Sequence, residues 1–179
     1  MLRLAAVVFL LATQALAADA VRNEAVGLRF SVPKDWTRVP AASDVRAAQW
    51  KIPGPDGQDG ELVLFFFGKG KGGGTQENLD RWFGQFAQPD GRPSRDAAVT
   101  TTRTVNGLRV TSVELGGTYG GSQMGGGGAA QPKPDSHMLA AVVEGEGGPW
   151  FFKAVGPKST MAGAKSGFDA LLASVEAHR

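Results

Sequence analysis

Two stretches of this sequence decide the fold: residues 61–67, which read ELVLFFF, and residues 138–144, which read MLAAVVE. Both are short runs that are apolar at nearly every position, whereas a half-buried strand is apolar at every second one. A strand with two apolar faces has to be covered on both sides, so each of these strands belongs in the interior of a sheet. The two stretches therefore predict a sheet with a packing layer on each face.

Further strand patterns lie along the rest of the chain. They occupy residues 28–32, 36–39, 46–52, 98–105, 108–115 and 150–155. The dipeptide Asn106-Gly107 is the strongest hairpin signal, because a type I′ turn requires a positive φ at both of its central residues. Hairpin links between neighbouring strands predict a mostly antiparallel sheet.

Two amphipathic helices provide the packing layers. Residues 75–88 carry Leu79, Trp82, Phe83 and Phe86 at helical spacing, and Thr75 is the expected N-cap. A second helix is expected from Ser159 or Thr160 to about residue 177. The fold class predicted from these patterns is α+β, with helices packed on a mostly antiparallel sheet.

The first twenty residues, MLRLAAVVFLLATQALAADA, predict a secretory signal peptide at residues 1–17 rather than a buried helix. Arg3 precedes an apolar run that is too short to span a bilayer, and residues 15–17 fit the small-x-small cleavage rule. A second such triplet at residues 18–20 leaves the cleavage point open by three residues. We therefore expect a single globular domain at residues 18–179 that is periplasmic or secreted and does not span the membrane.

The composition limits the classes of partner and of site. The chain carries 19 Lys and Arg against 17 Asp and Glu, and the basic residues do not cluster as they do in nucleic-acid-binding proteins. It has no cysteine, so it offers neither a disulfide nor the lipid-anchor site of bacterial lipoproteins. Its histidines, His137 and His178, are far apart in the sequence. We predict no metal, no cofactor and no catalytic residue, and the oligomeric state stays open.

The loop at residues 68–75 is the sharpest ligand-binding candidate. It carries Lys69 and Lys71 between a strand and the helix that begins at Thr75, which is the layout of a phosphate-binding loop. Gly74 occupies the position of the essential lysine in that motif, so nucleotide hydrolysis is not expected. Capture of a small anion and a plain solvated connection both remain open.

Two other features concern glycine-rich segments. Trp150 follows Gly147-Gly148-Pro149 at a hairpin edge, where it is either a half-exposed ligand-binding residue or part of the core. Residues 116–134 hold eight glycines and end in Gln-Pro-Lys-Pro, which favours extended chain rather than a helix. We therefore expect a mobile loop between two strands and no phosphate cradle.

Residues 27–40, GLRFSVPKDWTRVP, resemble the opening of PsbP-like domains, where a strand runs into a Pro-x-x-Trp turn. The matching positions are Gly27, Phe30, Pro33 and Trp36. This resemblance implies an α-β-α sandwich and the role of an extrinsic protein subunit. Residues 143–157, with the MGG motif at residues 124–126, also resemble a group of uncharacterised secreted bacterial proteins, which implies no activity.

These observations predict a secreted or periplasmic domain that is not an enzyme and that binds a protein partner or a small ligand. Two alternatives stay open. One is a hydrolase-type enzyme whose site is assembled from scattered residues, for which a pocket with convergent titratable groups would be the sign. The other is a small-anion binder at residues 68–75.

Overall fold

The computed structural model describes residues 20–121 and 131–178. The strands are β1 (Ala20–Ala25), β2 (Leu28–Pro33), β3 (Thr37–Val39), β4 (Arg46–Ile52), β5 (Gly60–Phe66), β6 (Phe86–Ala87), β7 (Val99–Val105), β8 (Leu108–Tyr119), β9 (Lys133–Glu144), β10 (Trp150–Pro157) and β11 (Glu176–Ala177). The helices are α1 (Thr75–Phe83), α2 (Ser94–Ala97) and α3 (Lys158–Ala173). The signal peptide expected at residues 1–17 lies outside the described residues.

The larger sheet is antiparallel and has the strand order β3-β4-β5-β10-β9-β8-β6, with β7 also paired to β8. The strands β5, β10 and β9 lie in its centre, which confirms the position expected for the two doubly apolar stretches. The β7–β8 hairpin turns at Asn106 and Gly107, whose φ angles of 47° and 81° are both positive as a type I′ turn requires.

One face of the larger sheet is covered by α3 together with a small sheet of order β1-β2-β11. Phe30 of β2 makes edge-to-face contacts with Trp50 of β4 at 5.7 Å and with Phe152 of β10 at 5.1 Å, measured between ring centres. Phe168 and Leu172 of α3 belong to the same buried cluster. The predicted α-β-α layering is confirmed, with a small sheet sharing one of the outer layers.

The opposite face is covered by the shorter helix α1. Leu79, Trp82 and Phe83 pack on Phe151 of β10 and on its neighbours in β8 and β9. The helix ends at Phe83, five residues before the predicted end, because Gly84 follows and Phe86 instead joins the edge of the sheet as β6. A helix of this length leaves part of the face uncovered, and the cleft described below lies there.

The glycine-rich loop is shorter than predicted at both ends. The ladder between β8 and β9 continues to the pair Tyr119 and Lys133, so the predicted loop bounds of 116 and 134 are wrong. Gly116 is part of the ladder, where a Cβ would come within 2.9 Å of the His137 ring. This glycine is therefore explained by close packing. Residues 122–130 lie outside the described residues, and the expected mobility of the loop stays a prediction.

No helix within residues 20–121 and 131–178 is long and apolar enough to cross a membrane.

Candidate functional site

The loop at residues 68–75 presents its two lysines to solvent and ends beside two carboxylates. Lys69 and Lys71 are exposed, and Thr75 is the first residue of α1, with Gly74 in the N-cap position that Thr75 was expected to hold. The backbone N–H of Gly74 donates to the Glu77 carboxylate at 2.6 Å. The Thr75 hydroxyl donates to the carboxylate of Glu144. An anion at this helix terminus would meet two negative charges that already use the local donors.

Trp150 is a core residue, which is one of the two alternatives that the sequence left open, and it does not have the half-exposed position expected of a ligand-binding residue. It is 3% exposed and stacks on Phe66 with ring centres 5.5 Å apart. Its indole N–H donates to the backbone carbonyl of Val26 at 2.9 Å. The turn between β1 and β2 thus supplies the acceptor that a buried indole needs, and a strand that sequence patterns missed, β1, leads into that turn.

The two histidines have separate partners. His137 lies on β9 with Nε2 3.0 Å from the Glu114 carboxylate. His178 donates its backbone N–H to the backbone carbonyl of Gly27 at 2.9 Å and has Nε2 2.6 Å from the Arg29 guanidinium. Within the described residues, no group of three or more His, Asp or Glu side chains is arranged to hold a metal ion.

A cleft of about 580 Å³ lies on the part of the sheet face that α1 does not cover. Alternate residues of a strand point to one face, and Lys153 of β10 lies directly opposite Val63 of β5, as Val155 lies opposite Glu61. These residues and Phe65 line the cleft on β5 and β10. Its remaining lining comes from Arg46 of β4, Tyr119 of β8, the start of β5 with the segment before it, the start of β9 and the end of β10.

Lys153 is the most unusual side chain of the cleft, because it is a lysine that is only 8% exposed. Its ammonium donates to the side-chain carbonyl of Gln85 and lies 3.1 Å from the hydroxyl of Tyr119. Both partners are neutral, and no carboxylate of the described residues forms an ion pair with it. A buried charge without a charged partner is costly.

Burial lowers the pKa of Lys153 to about 7, because water no longer solvates the ammonium form. The negative charge of Glu61 opposes this effect, and the positive charge of Arg46 adds to it. Burial also raises the pKa of the Tyr119 hydroxyl, and Glu61 raises it further. Near neutral pH, the Lys153 amine therefore exists in both forms, while Tyr119 keeps its proton.

Glu61 is held by its own partners at the side of the cleft. One carboxylate oxygen lies 2.9 Å from Nη1 of Arg46, and the other accepts a hydrogen bond of 2.7 Å from the Gln49 side chain. The Gln49 carbonyl in turn accepts the backbone N–H of Ala42 at 3.0 Å. This network ties the carboxylate to β4, which explains why it does not pair directly with Lys153.

Sequence reasoning missed this site. One signal was present: in the strand WFFKAV, Lys153 is a lone charge at a position that the apolar pattern assigns to the interior. The other polar residues of the cleft do not depart from the sequence pattern in this way. Arg46, Glu61, Tyr119 and Lys153 lie on four strands and meet only in the folded sheet.

No family model matches the chain, and no curated protein is similar to it at a significant level. Among solved structures, the cyanobacterial PsbP protein of Synechocystis has a TM-score of 0.52 and 15% sequence identity, with 92% of this chain and 96% of that chain covered. LpqN of Mycobacterium tuberculosis, described as involved in cell envelope biogenesis, has a TM-score of 0.49 and 10% identity, with 85% and 83% covered. The first similarity shows a PsbP-like fold, which is the fold that the resemblance implied.

Proposed function

We propose that this chain is a secreted or periplasmic binding domain without catalytic activity, and that the cleft around Lys153 holds a small ligand. The observation that carries the proposal is the position of Lys153, a lysine buried on a central strand and turned into a cleft. An apolar residue there would give a more stable domain. A binding role explains why a lysine occupies the position.

The lining of the cleft indicates the kind of ligand. Val63, Phe65 and Val155 offer apolar contacts, and Lys153 and Tyr119 offer hydrogen bonds at one place between them. A volume of about 580 Å³ is in the range of small-molecule sites, and the charged side chains of Arg46, Glu61 and Lys133 also line this cleft. These features favour a ligand with an apolar body and one oxygen that accepts a hydrogen bond.

An enzyme is the second candidate, and one observation favours it. Lys153, with its lowered pKa, and Tyr119 lie in hydrogen-bond contact in a cleft, which is a pattern common at active sites. Against it, both oxygens of Glu61 are occupied by Arg46 and Gln49, so this carboxylate is not free to act as a base. Binding without turnover requires no further group and is the simpler proposal.

The proposed location outside the cytoplasm is supported by the signal-peptide pattern of residues 1–17, which ends in the small-x-small triplet at residues 15–17.

Amide-shift mapping by NMR tests the site. The exported protein is titrated with a set of small fragments that contains aliphatic alcohols, carboxylates, ketones and aldehydes. We expect fragment-induced shifts at Val63, Phe65 and Val155, and their loss in the variant Lys153→Met. The matched control is Lys69→Met, which removes an exposed lysine and should leave these shifts intact. Shifts confined to residues 68–75, or none with any fragment, would contradict the proposal, and turnover of a fragment would favour the enzyme.

A further inference from the structure

We infer that Lys153 is a covalent attachment site, whose amine forms an imine with an aldehyde or ketone ligand in the cleft. This inference rests on the proposed ligand site and names the reactive group of the ligand. We draw it from the contacts of the Lys153 side chain, because its hydrogen-bond partners are neutral, whereas a lysine in an ion pair contacts a carboxylate.

The first requirement of an amine nucleophile is a neutral nitrogen. An ion pair with a carboxylate would hold Lys153 protonated, and Glu61 is the nearest candidate on the neighbouring strand. Arg46 and Gln49 bind both oxygens of that carboxylate, at 2.9 Å and 2.7 Å. The lysine is thereby left with the neutral partners Gln85 and Tyr119 and with a pKa of about 7.

The second requirement is a nitrogen lone pair that is free to attack the carbonyl carbon, with a hydrogen-bond donor beside it for the carbonyl oxygen. A neutral amine has two N–H groups and one lone pair, and the Gln85 carbonyl accepts one of the N–H groups. The Tyr119 hydroxyl, 3.1 Å away, is able to donate to the lone pair when the amine is neutral. An incoming carbonyl oxygen would compete for the same hydroxyl proton, which would release the lone pair next to the carbonyl carbon.

The reaction needs no oxidant or reductant. The nitrogen lone pair attacks the carbonyl carbon, a C–N bond forms, and the carbonyl oxygen receives a proton that leaves the nitrogen, which gives a carbinolamine. The carbinolamine hydroxyl then leaves as water, while the remaining N–H proton is transferred away and a C=N bond forms. One water is released for each imine, and Tyr119 is placed to relay both protons between nitrogen and oxygen.

The surroundings of Lys153 define how its reactivity depends on pH. The charged and titratable side chains that line the cleft or the hollow beside it are Arg46, Asp59, Glu61, Arg81, Tyr119, Lys133 and Asp135. Of these three acids, Glu61 is the one whose charge acts on the pKa of Lys153, and it is bound by Arg46, while Asp59 is bound by Lys51 at 2.6 Å. Imine formation at Lys153 should therefore rise with pH with a midpoint near 7, whereas an exposed lysine requires a pH near 10.

The test is reductive trapping with a defined aldehyde. The exported protein is incubated with butanal and sodium cyanoborohydride, which reduces the imine to a stable secondary amine, and the modified residues are identified by peptide mass spectrometry. At pH 7, we expect Lys153 to react about tenfold or more faster than Lys69 and Lys71, because its pKa of about 7 leaves much of its amine neutral. The variant Tyr119→Phe should slow the reaction at Lys153 about tenfold or more and leave Lys69 unaffected.

Equal or slower modification of Lys153 relative to Lys69 at pH 7 would overturn the inference, as would a rate at Lys153 without a midpoint near 7. The fragment titration separates this failure from that of the proposed function. If fragments shift Val63 and Val155 but no aldehyde is trapped, the binding site stands and the covalent step is wrong. If neither is seen in a protein with a folded NMR spectrum, both proposals are wrong.

Discussion

The side-chain nitrogen of Lys153 lies 3.1 Å from the hydroxyl oxygen of Tyr119 and 5.0 Å from the centre of its ring, although β9 runs between the strands that carry the two residues. The residue of β9 directly opposite Lys153 is Ala140, whose small side chain leaves space for the lysine to extend. The buried amine of Lys153 thus contacts the Tyr119 phenol and the Gln85 side chain. The energetic cost of that arrangement is measurable.

We predict that Lys153→Met increases the free energy of unfolding by about 1–4 kcal/mol at pH 6, by analogy with the range seen when buried ion pairs are replaced by apolar residues. The pKa of Lys153 is about 7 in the folded state and near 10.4 in the unfolded chain. Between these values the unfolded chain binds more protons, so the wild type gains stability as the pH rises. The advantage of the variant is therefore complete below pH 7 and shrinks towards pH 10.

Urea unfolding of both proteins at pH 6 and pH 9 measures this difference, and other titrating groups cancel in the comparison. The exposed-lysine variant Lys71→Met serves as the control and should shift the free energy by less than about 0.5 kcal/mol at either pH. An unchanged difference between the two pH values would show that Lys153 keeps its ordinary pKa.

Trp82 is expected to anchor α1 on the sheet. Its side chain is buried with Phe83 and Phe151 in the cluster beneath the helix. The truncation Trp82→Ala should lower the free energy of unfolding by about 3–5 kcal/mol, because it removes a large apolar side chain and leaves a cavity. The control Gln76→Ala, on the exposed side of the same helix, should change it by less than about 0.5 kcal/mol. Similar values for the two variants would place the Trp82 face of the helix in solvent.

Two glycines of α3 should respond oppositely to alanine. A Cβ at Gly167 would lie 2.7 Å from the Pro33 ring and 3.3 Å from the Trp36 indole, whereas a Cβ at Gly163 would meet nothing within 4 Å. Gly163→Ala should stabilise the domain by about 0.5–1 kcal/mol, because alanine has the higher helix propensity. Gly167→Ala should destabilise it by about 1–3 kcal/mol through overpacking. Thermal unfolding of the two variants measures the contrast, and a gain at both sites would mean that α3 packs less closely on β2.

Periodicity predicted the central strands because burial on both faces leaves a continuous apolar run, as in residues 61–67 and 138–144. The same criterion failed at the end of α1, since Phe86 has helical spacing from Trp82 and Phe83 but its backbone pairs with Tyr119. It also left Trp150 undecided, because the acceptor of its indole N–H, the carbonyl of Val26, lies 124 residues away. Local patterns indicate which segments have a buried face, and they do not indicate which distant residues pack against that face.

The cleft could not be predicted for a related reason. Its polar residues come from β4, β5, β8, β9 and β10 and from the segment before β5, and their meeting depends on strand order and register. Lys153 alone carried a local signal, as a charge within an apolar strand. Lys69 and Lys71 carried a stronger local signal, as two lysines in a glycine-rich loop before a helix, but the structure places Glu77 and Glu144 beside Lys71.

We predict that the exported protein begins at Ala18 or within three residues of it. The arginine, the apolar run and the small residues at positions 15 and 17 motivate this cleavage site. Intact-mass measurement of protein recovered from the periplasm or the culture fluid gives the N-terminus directly. Changing Ala17 to a bulky residue, as in Ala17→Leu, should move or block the cut. Recovery of mature protein that retains Met1 would contradict both the cleavage and the proposed export.

The loop at residues 68–75 should bind phosphate or sulfate with a dissociation constant of about 1 mM or weaker, which corresponds to about −4 kcal/mol. Lys69 and Lys71 attract anions, but the Gly74 amide donates to Glu77 and the Thr75 hydroxyl donates to Glu144. Removing one negative charge with Glu77→Gln should therefore tighten phosphate binding, and adding Lys71→Met to it should reverse the gain. Amide shifts of residues 72–76 during a phosphate titration report the affinity, and a repeat at high salt should weaken it, because the contacts are exposed to solvent. Submillimolar binding by the wild type, or hydrolysis of ATP, would show that the two carboxylates do not block the helix terminus and would restore this loop as the functional site.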